Sequence, residues 1–309
     1  MLKLESLVTF VAVIESGSIS EACRRLGVSK SVISERLTEL ERSLGARLIQ
    51  RTTRRMTLTE DGQAFLLRAR KIVGDVSDAE AEISERRGQL VGPLRISGPV
   101  SFGYLHLCPA IYPFLKKHPG IELSLDLDDR FVDVEADGYD AVIRHGQIRE
   151  SWLVAIRLAP SRRVLVASPA YLAAHGVPRT LSDLASHRAI LYTNRVSDWR
   201  FESGRDVVSV TPLRALRVNN GLIMRDAALA GMGLTLLPTF LVYKEIRKRA
   251  LRIVDVGLEP ERAEIHLTYP KAQQPSAKLR ALIDHLKKAF GDPPYWETSK
   301  TKQRKAAAS

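Results

Sequence analysis

The chain has 309 residues, of which 45% are hydrophobic and 27% are charged. This composition is ordinary for a folded protein of about two or three domains, and it excludes a disordered chain, a collagen-like fibre and a disulfide-stapled miniprotein. The 47 lysine and arginine residues outnumber the 35 aspartate and glutamate residues, giving a net charge of +12. Such an excess indicates a polyanionic partner.

The cysteines and the apolar runs indicate the compartment. Cys23 and Cys108 lie far apart, which suits a reducing cytosol and argues against a zinc cluster. The longest apolar run near the start, residues 7–14, is too short to span a bilayer and precedes no cleavage site. We therefore expect a cytoplasmic protein, and no motif calls for a metal or a cofactor.

Three helices are predicted in residues 1–45. Apolar residues recur every three or four positions from Leu4 to Ile14, and a short second helix runs from Ser20 to Leu26. The third helix begins at Ser29, a favourable N-cap residue, and ends at Gly45. The lengths of the last two helices, and the turn between them, are typical of a helix-turn-helix.

The start of the third helix is predicted to contact DNA, because this end of a recognition helix meets base edges in the major groove. Short hydroxyl groups bond bases or phosphates, and Lys30 reaches guanine. The residues predicted on this surface are Ser29, Lys30, Ser31, Ser34, Glu35 and Arg36. The alternative interpretation is a helical hairpin with a solvated face.

Residues 47–59 alternate β-branched and basic side chains, which predicts two short strands joined by a basic turn. A basic turn after a recognition helix fits a wing that lies on the phosphate backbone or enters the minor groove. The DNA contacts predicted on this wing are Arg51, Thr53, Arg54 and Arg55.

A long helix is predicted over residues 60–88, capped by Thr59. Its apolar positions are spaced alternately by four and three residues, and they are Phe65, Ala69, Ile72, Val76, Ala79 and Ile83. A seam with two apolar residues in every seven is narrower than the apolar stripe of a helix that packs on its own domain. We therefore predict dimerisation along this seam; the alternative is packing on the protein's own downstream domain.

Predicted strands and helices alternate beyond residue 91, as in α/β layers. Gly92-Pro93 marks the boundary, and a segment of about 200 residues favours two α/β lobes. The predicted domains are a DNA-binding domain over residues 1–59, a linker helix over 60–90, a two-lobed domain over 91–290 and a flexible basic tail over 291–309.

A search for catalytic motifs identifies no HExxH pair, GxSxG elbow or P-loop. The Gly231-Met-Gly233 turn follows a helix and opens an apolar strand, which is the reverse of a dinucleotide-binding turn. We therefore predict that the protein is not an enzyme. An enzyme fused to a DNA-binding domain stays open as an alternative, because sequence does not reveal side chains that meet only in space.

Several motifs occur together without gaps in residues 1–90. They are Phe10, Ser20-x-Ala22-Cys23-x-x-Leu26, Ser29-x-Ser31-x-Ile33-Ser34, Leu40-Glu41-x-x-Leu44-Gly45, Leu48, Arg51-Thr52-Thr53-Arg54 and Leu58-Thr59-x-x-Gly62. This pattern resembles the N-terminal part of LysR-type transcriptional regulators. Gly92-x-Leu94-Arg95-Ile96, residues 167–178 and residues 227–238 resemble the effector domain of that family. Ile49 stands where Phe is usual, Ser31 where Pro or Ala is frequent, and Cys23 where Ala is usual.

The resemblance covers about residues 1–290. It implies an α+β multi-domain fold with an N-terminal winged helix-turn-helix, a long dimerising linker helix and a C-terminal two-lobed α/β domain like those of periplasmic binding proteins. It also implies double-stranded DNA as partner, a small co-inducer in the cleft and a homodimer or homotetramer. RNA polymerase is a further candidate partner.

The loop over residues 98–102 leads from a strand into a helix, whose free N–H groups form an anion site. In the resembling family this loop lines the effector pocket, so Ser101 and Phe102 are the first predicted effector contacts, and an organic acid suits them. Arg144, Thr193 and Asn219 are further candidates. The alternatives are that Ser101 only caps its helix and that Arg144 forms a surface ion pair.

These observations together predict a LysR-type DNA-binding transcriptional regulator controlled by a small-molecule effector. A nucleoid-type DNA binder without a ligand is the alternative from another class. The long α/β portion argues against it, because such a protein needs no cleft.

Overall fold

The structure, a computed structural model, describes residues 2–51, 56–85, 89–130, 132–134, 137–146, 148, 150–193, 199–204 and 206–297. The chain forms two compact units. Unit 1 comprises Met1–Pro93 with the short pieces Gly120–Glu122 and Glu135–Gly138, and unit 2 comprises the remainder.

Unit 1 has the predicted order of helices and strands. Its elements are α1 (Leu4–Ser16), α2 (Ile19–Leu26), α3 (Lys30–Leu44), β1 (Ile49–Arg51), β2 (Met56–Leu58) and α4 (Glu60–Glu85). Strands β1 and β2 pair antiparallel, while the basic turn between them, with Thr53, Arg54 and Arg55, lies outside the described residues. Glycines at positive φ end the first three helices, at Gly17, Gly27 and Gly45.

Hydrogen bonds to the backbone of residues 47–49 connect this segment to α3 and to the start of α4. Glu41 of α3 accepts the N–H groups of Leu48 and Ile49 through Oε1 at 2.9 and 3.1 Å. The Leu48 carbonyl accepts from the Thr59 N–H at 3.0 Å, and Thr59 Oγ1 accepts from the Gly62 N–H at 2.9 Å. Thr59 is therefore the cap of α4, as predicted, and it joins the helix start to β1.

Helix α4 differs from the predicted seam in its first half. Ala69 is fully buried in the core of unit 1, and Phe65 packs beside it with its ring centroid 5.8 Å from that of Phe10. The assignment of Phe65 and Ala69 to a dimer seam is therefore wrong for this protomer, because α1 covers that face of the helix. The four later seam residues lie outside this core, with Ile72 and Ile83 41% and 61% exposed, Ala79 exposed and Val76 half-buried.

Unit 2 has two lobes, each built on a five-stranded sheet. Lobe I has the strand order β4-β3-β5-β15-β6, and lobe II has the order β11-β8-β12-β7-β13. The lobe I strands are β3 (Gly92–Gly98), β4 (Ile121–Leu127), β5 (Ala141–His145), β6 (Leu153–Ser161) and β15 (Ala263–Pro270). Those of lobe II are β7 (Arg163–Ala167), β8 (Arg188–Tyr192), β11 (Leu213–Val218), β12 (Leu234–Pro238) and β13 (Arg252–Ile253). A small sheet joins β9 (Trp199–Ser203), β10 (Asp206–Val210) and β14 (Glu259–Pro260).

Helices cover these sheets. They are α5 (Val100–Phe102), α6 (Cys108–Lys117), α7 (Pro169–His175), α8 (Gly221–Leu229), α9 (Thr239–Arg247) and α10 (Ala277–Phe290). A π-helical stretch, Gly103–Leu107, connects α5 to α6, and a 3₁₀ turn spans Ser182–Ser186. The chain crosses between the lobes at Arg162 and returns at residues 261–262, which connect β14 to β15. Both crossings therefore lie beside the cleft between the lobes.

The prediction of a flexible tail over residues 291–309 is wrong for residues 291–297. Trp296 is only 2% exposed and packs against Phe102, Phe290 and His106, with ring centroids 6.1, 5.5 and 4.7 Å away. The Glu297 carboxylate accepts the hydroxyl proton of Thr239 at the start of α9. Burial of an indole orders this segment against both lobes, and residues 298–309 lie outside the described part.

His106 lies at the centre of the same aromatic cluster. Burial lowers the pKa of His106 to about 4, so the imidazole is neutral at pH 7. The Phe240 carbonyl, 3.1 Å from Nε2, only accepts, and Nε2 therefore carries the proton. Nδ1 then accepts from the Tyr295 hydroxyl at 2.5 Å. The histidine thus links lobe I, lobe II and the C-terminal segment without a buried charge.

Candidate functional sites

The first candidate site is the exposed N-terminal end of α3. Ser29, Lys30, Ser31 and Glu35 are exposed and Ser34 is half-buried. Ser29 Oγ accepts the Val32 N–H at 3.4 Å and lies 2.7 Å from Ser31 Oγ. Ser29 therefore caps the start of α3. Among the described residues, Lys30 forms no ion pair.

Arg36, the last residue predicted on this surface, is engaged within unit 1. Its Nη2 donates to Glu5 Oε2 of α1 at 2.6 Å, and its side chain is 25% exposed. A DNA contact by Arg36 therefore needs the guanidinium to leave or share this carboxylate. Arg51 ends β1, and its side chain is outside the described part.

The second candidate site is a cavity of about 890 Å³ in unit 2. Residues from both lobes line it, including Ser101 and Phe102 from lobe I and Gly221 and Phe240 from lobe II. A Cβ added at Gly221 would lie 2.6 Å from the side chain of Leu241 and 3.5 Å from Ser101 Oγ. The start of α8 therefore faces Ser101 closely across the cleft, and the volume accommodates a small organic molecule.

Ser101 and Phe102 both lie on the cavity wall, but the predicted anion site at their helix start differs. Helix α5 has only three residues, and Asp129 Oδ1 already accepts the Val100 N–H at 3.1 Å. Burial raises the pKa of Asp129. The loop is thus occupied by a carboxylate of the protein itself, which counts against a free backbone anion site.

Ser101 does not cap its helix, contrary to the alternative interpretation. Ser101 is 6% exposed, and its buried Oγ has no hydrogen-bond partner in the described part of the chain. Pro99 occupies the N-cap position and makes no side-chain bond there. A hydroxyl left unpaired on a cavity wall is available to a ligand.

The other predicted effector residues divide into two groups. Arg144 lines the cavity, but its guanidinium donates to Glu150 at 2.7 Å and to the Val132 carbonyl at 2.6 Å. Thr193 and Asn219 are exposed and do not line the cavity, so the geometry does not support their assignment, which stays a prediction. Strand β8 ends at Tyr192, and the wall includes Tyr192, which precedes Thr193, and Gly221, which lies two residues after Asn219.

Several cavity residues are absent from the sequence-based prediction. They are Asp129, His145, Arg163, Trp199 and Glu261. Arg163 and Glu261 adjoin the two crossings between the lobes, which only the folded topology identifies. No local motif marks either residue.

The structure offers no resident metal site or membrane segment in its described part. No cluster of three or more His, Cys, Asp or Glu side chains suited to a metal occurs among the residues described. Within the same residues, no helix combines the length and apolarity needed to cross a bilayer.

Comparison with known proteins decides the family. Residues 4–63 match the family described as "Bacterial regulatory helix-turn-helix protein, lysR family", and residues 87–291 match "LysR substrate binding domain". This chain belongs to the LysR family of transcriptional regulators. Its membership confirms the predicted winged helix-turn-helix and two-lobed α/β fold, and it makes the protein a DNA-binding regulator with a domain for a small-molecule effector.

Individual relatives cover nearly the whole chain. The HTH-type transcriptional regulator PtxR of Pseudomonas aeruginosa is 36% identical over 299 residues, covering 95% of each chain. DmlR of Escherichia coli, also an HTH-type transcriptional regulator, is 32% identical, covering 94% of this chain and 95% of its own. These relatives are regulators rather than enzymes.

Solved LysR-type structures have the same architecture. CrgA from Neisseria meningitidis superposes with a TM-score of 0.60 at 28% identity, covering 93% of this chain and 99% of its own. The Vibrio cholerae virulence activator AphB gives a TM-score of 0.59 at 27% identity, covering 92% of this chain and 98% of its own.

Proposed function

We propose that this LysR-type regulator is a cytoplasmic protein without enzymatic activity that binds operator DNA as a homodimer or homotetramer. A small organic acid in the cleft of unit 2 changes its effect on transcription, with RNA polymerase as the candidate downstream partner. The observation that carries the DNA-binding part is the exposed start of α3, where Lys30 and three serines are presented on a capped helix end. The cavity supports control by a ligand rather than a nucleoid-type role.

The DNA-binding proposal is tested with an operator selected from random-sequence DNA by the purified full-length protein. We expect Lys30→Ala to weaken operator binding about tenfold, because a lost base contact costs roughly 1–3 kcal/mol. Binding to random DNA should change much less. Lys117→Ala, an exposed lysine of α6, is the matched control and should leave both affinities unchanged. Equal losses on operator and random DNA would contradict base reading by Lys30.

The assembly proposal is tested at the exposed half of the α4 seam. We expect Ile72→Glu to convert the oligomer to a smaller species in sedimentation, because a carboxylate opposes burial of this face. Operator affinity should fall about a hundredfold when two linked recognition helices become independent. Leu67→Glu is the control: Leu67 is 38% exposed and lies about 140° around the helix from Ile72. An oligomer unchanged by Ile72→Glu would refute the seam.

A further inference from the structure

The cavity contains a buried arginine whose guanidinium forms no hydrogen bond with any of the described residues. Arg163 is the first residue of β7, its side chain is 10% exposed, and it lines the cavity. Among the described residues, its guanidinium has one charged neighbour, Glu261, with Nη1 3.9 Å from Oε2. That distance is too long for a hydrogen bond. A buried guanidinium in this state is costly unless another acceptor reaches it.

Glu261 does not neutralise Arg163 alone, because it is shared with a second arginine. Glu261 Oε1 lies 3.4 Å from Arg200 Nη2, and Arg200 also lines the cavity. Two guanidinium groups therefore flank one carboxylate, which leaves a local excess of one positive charge. An anion entering beside Arg163 meets attraction from both arginines and repulsion from the neighbouring Glu261.

Two other cavity arginines differ from Arg163 in this respect. Arg144 is bonded to Glu150 at 2.7 Å, and Arg130 is bonded to Asp128 at 2.7 Å. Both pairs have the length of charge-assisted hydrogen bonds. Arg200 and Arg262 have side chains 45% and 85% exposed, so Arg163 is the buried arginine of the cavity wall with no hydrogen bond to a carboxylate among the described residues.

The cavity contains a second unused group, which comes from lobe I. Ser101 Oγ is buried on the cavity wall and has no hydrogen-bond partner among the described residues. The wall also carries apolar side chains, which include Phe102, Ile143, Met224, Leu236, Phe240 and Leu241. The cavity therefore presents a cation from lobe II, a hydroxyl from lobe I and an apolar surface.

We propose that Arg163 binds the carboxylate of the effector, that Ser101 bonds a second polar atom of it, and that the effector is a monocarboxylic acid with an apolar body. Planar guanidinium and carboxylate groups form two parallel hydrogen bonds, which satisfies the buried donors. Glu261 lies beside Arg163 and competes with the ligand. This inference rests on the proposed effector function and adds the residue that selects the ligand's charge.

The test uses the full-length protein and a panel of aliphatic and aromatic monocarboxylates, starting with benzoate, each paired with its neutral amide. Thermal shift identifies acids that raise the melting temperature, and calorimetry gives their Kd. We expect at least one acid to bind while its amide does not. Arg163→Gln should weaken that acid about tenfold or more, as expected for loss of a charged hydrogen bond. Arg217→Gln is the control, because Arg217 of β11 is exposed and does not line the cavity.

Glu261→Gln supplies a result that damage to the fold would not produce. Removing the competing carboxylate should tighten binding of the same acid several-fold while the amide stays unbound. The proposal is overturned if no acid binds, if amides bind as well as acids, or if Arg163→Gln keeps wild-type affinity. Operator binding by the unliganded protein is measured in parallel. Loss of operator binding would count against the proposed function. If operator binding is retained and any of those three results is obtained, only the role proposed for Arg163 is contradicted.

Discussion

Replacing Gly62 with alanine is expected to destabilise unit 1 by about 3 kcal/mol, the upper end of the usual cost of overpacking. A Cβ at this position would lie 2.0 Å from the carbonyl oxygen of Leu48. That oxygen belongs to the backbone and accepts the Thr59 N–H, while the Leu48 N–H is held by Glu41. This backbone oxygen therefore cannot move away from the added Cβ as the end of a flexible side chain could.

Hydrogen exchange of the amides in α1 and α3 measures this effect in the full-length protein. We expect exchange to accelerate about a hundredfold and operator binding to fall with it. Gly74→Ala is a matched control in the same helix, because a Cβ there meets nothing within 4 Å. It should stabilise α4 by up to about 1 kcal/mol, as alanine is the better helix former. Similar behaviour of the two variants would contradict the close contact at Gly62.

Truncating Trp296 to alanine is expected to destabilise unit 2 by about 4 kcal/mol, since buried tryptophans typically cost 3–5 kcal/mol when removed. The indole is 2% exposed and contacts rings from α5, the π-helical stretch and α10. Its loss would leave a cavity beside His106 and loosen the segment that carries Glu297. For a unit of this size the melting temperature should fall by about 10 °C.

The control for this variant is Trp152→Ala, because Trp152 is 40% exposed. It removes the same side chain and should lower the melting temperature by much less. A deletion of residues 291–309 should match or exceed the effect of Trp296→Ala. If the deletion leaves the melting temperature unchanged, the C-terminal segment does not pack on unit 2 in solution.

The helix-turn-helix could be predicted almost completely from the sequence. Its helices are ended by Gly17, Gly27 and Gly45 at positive φ, and its apolar periodicity is local. The downstream strands that carry short apolar runs, such as Ile121–Leu127 and Arg163–Ala167, were also predictable. Strands β8 to β11 were missed, although the middle of β8 is buried; β10 and β11 carry only exposed and half-buried residues. Helix α9, which follows Pro238, was also missed.

The apolar seam predicted along α4 divides into two parts in the structure, for a geometric reason. Spacing alone placed Phe65 and Ala69 with Ile72 and Ile83, because all four fit alternating steps of three and four. The tertiary structure divides them, since α1 packs on the first turns of α4 and buries Ala69. Sequence periodicity identifies an apolar face but not which neighbour covers it.

By itself, the sequence determined the family, the order of helices and strands in unit 1 and the loop that carries Ser101. These depend on interactions between residues close in the chain, such as the Thr59 cap of α4. Only the tertiary structure brought Arg163 beside Glu261, 98 positions later in the numbering, and seated Trp296 on Phe102. Such contacts form when segments distant in the chain pack together. Neither composition nor residue spacing shows which buried side chain will have a donor that forms no hydrogen bond.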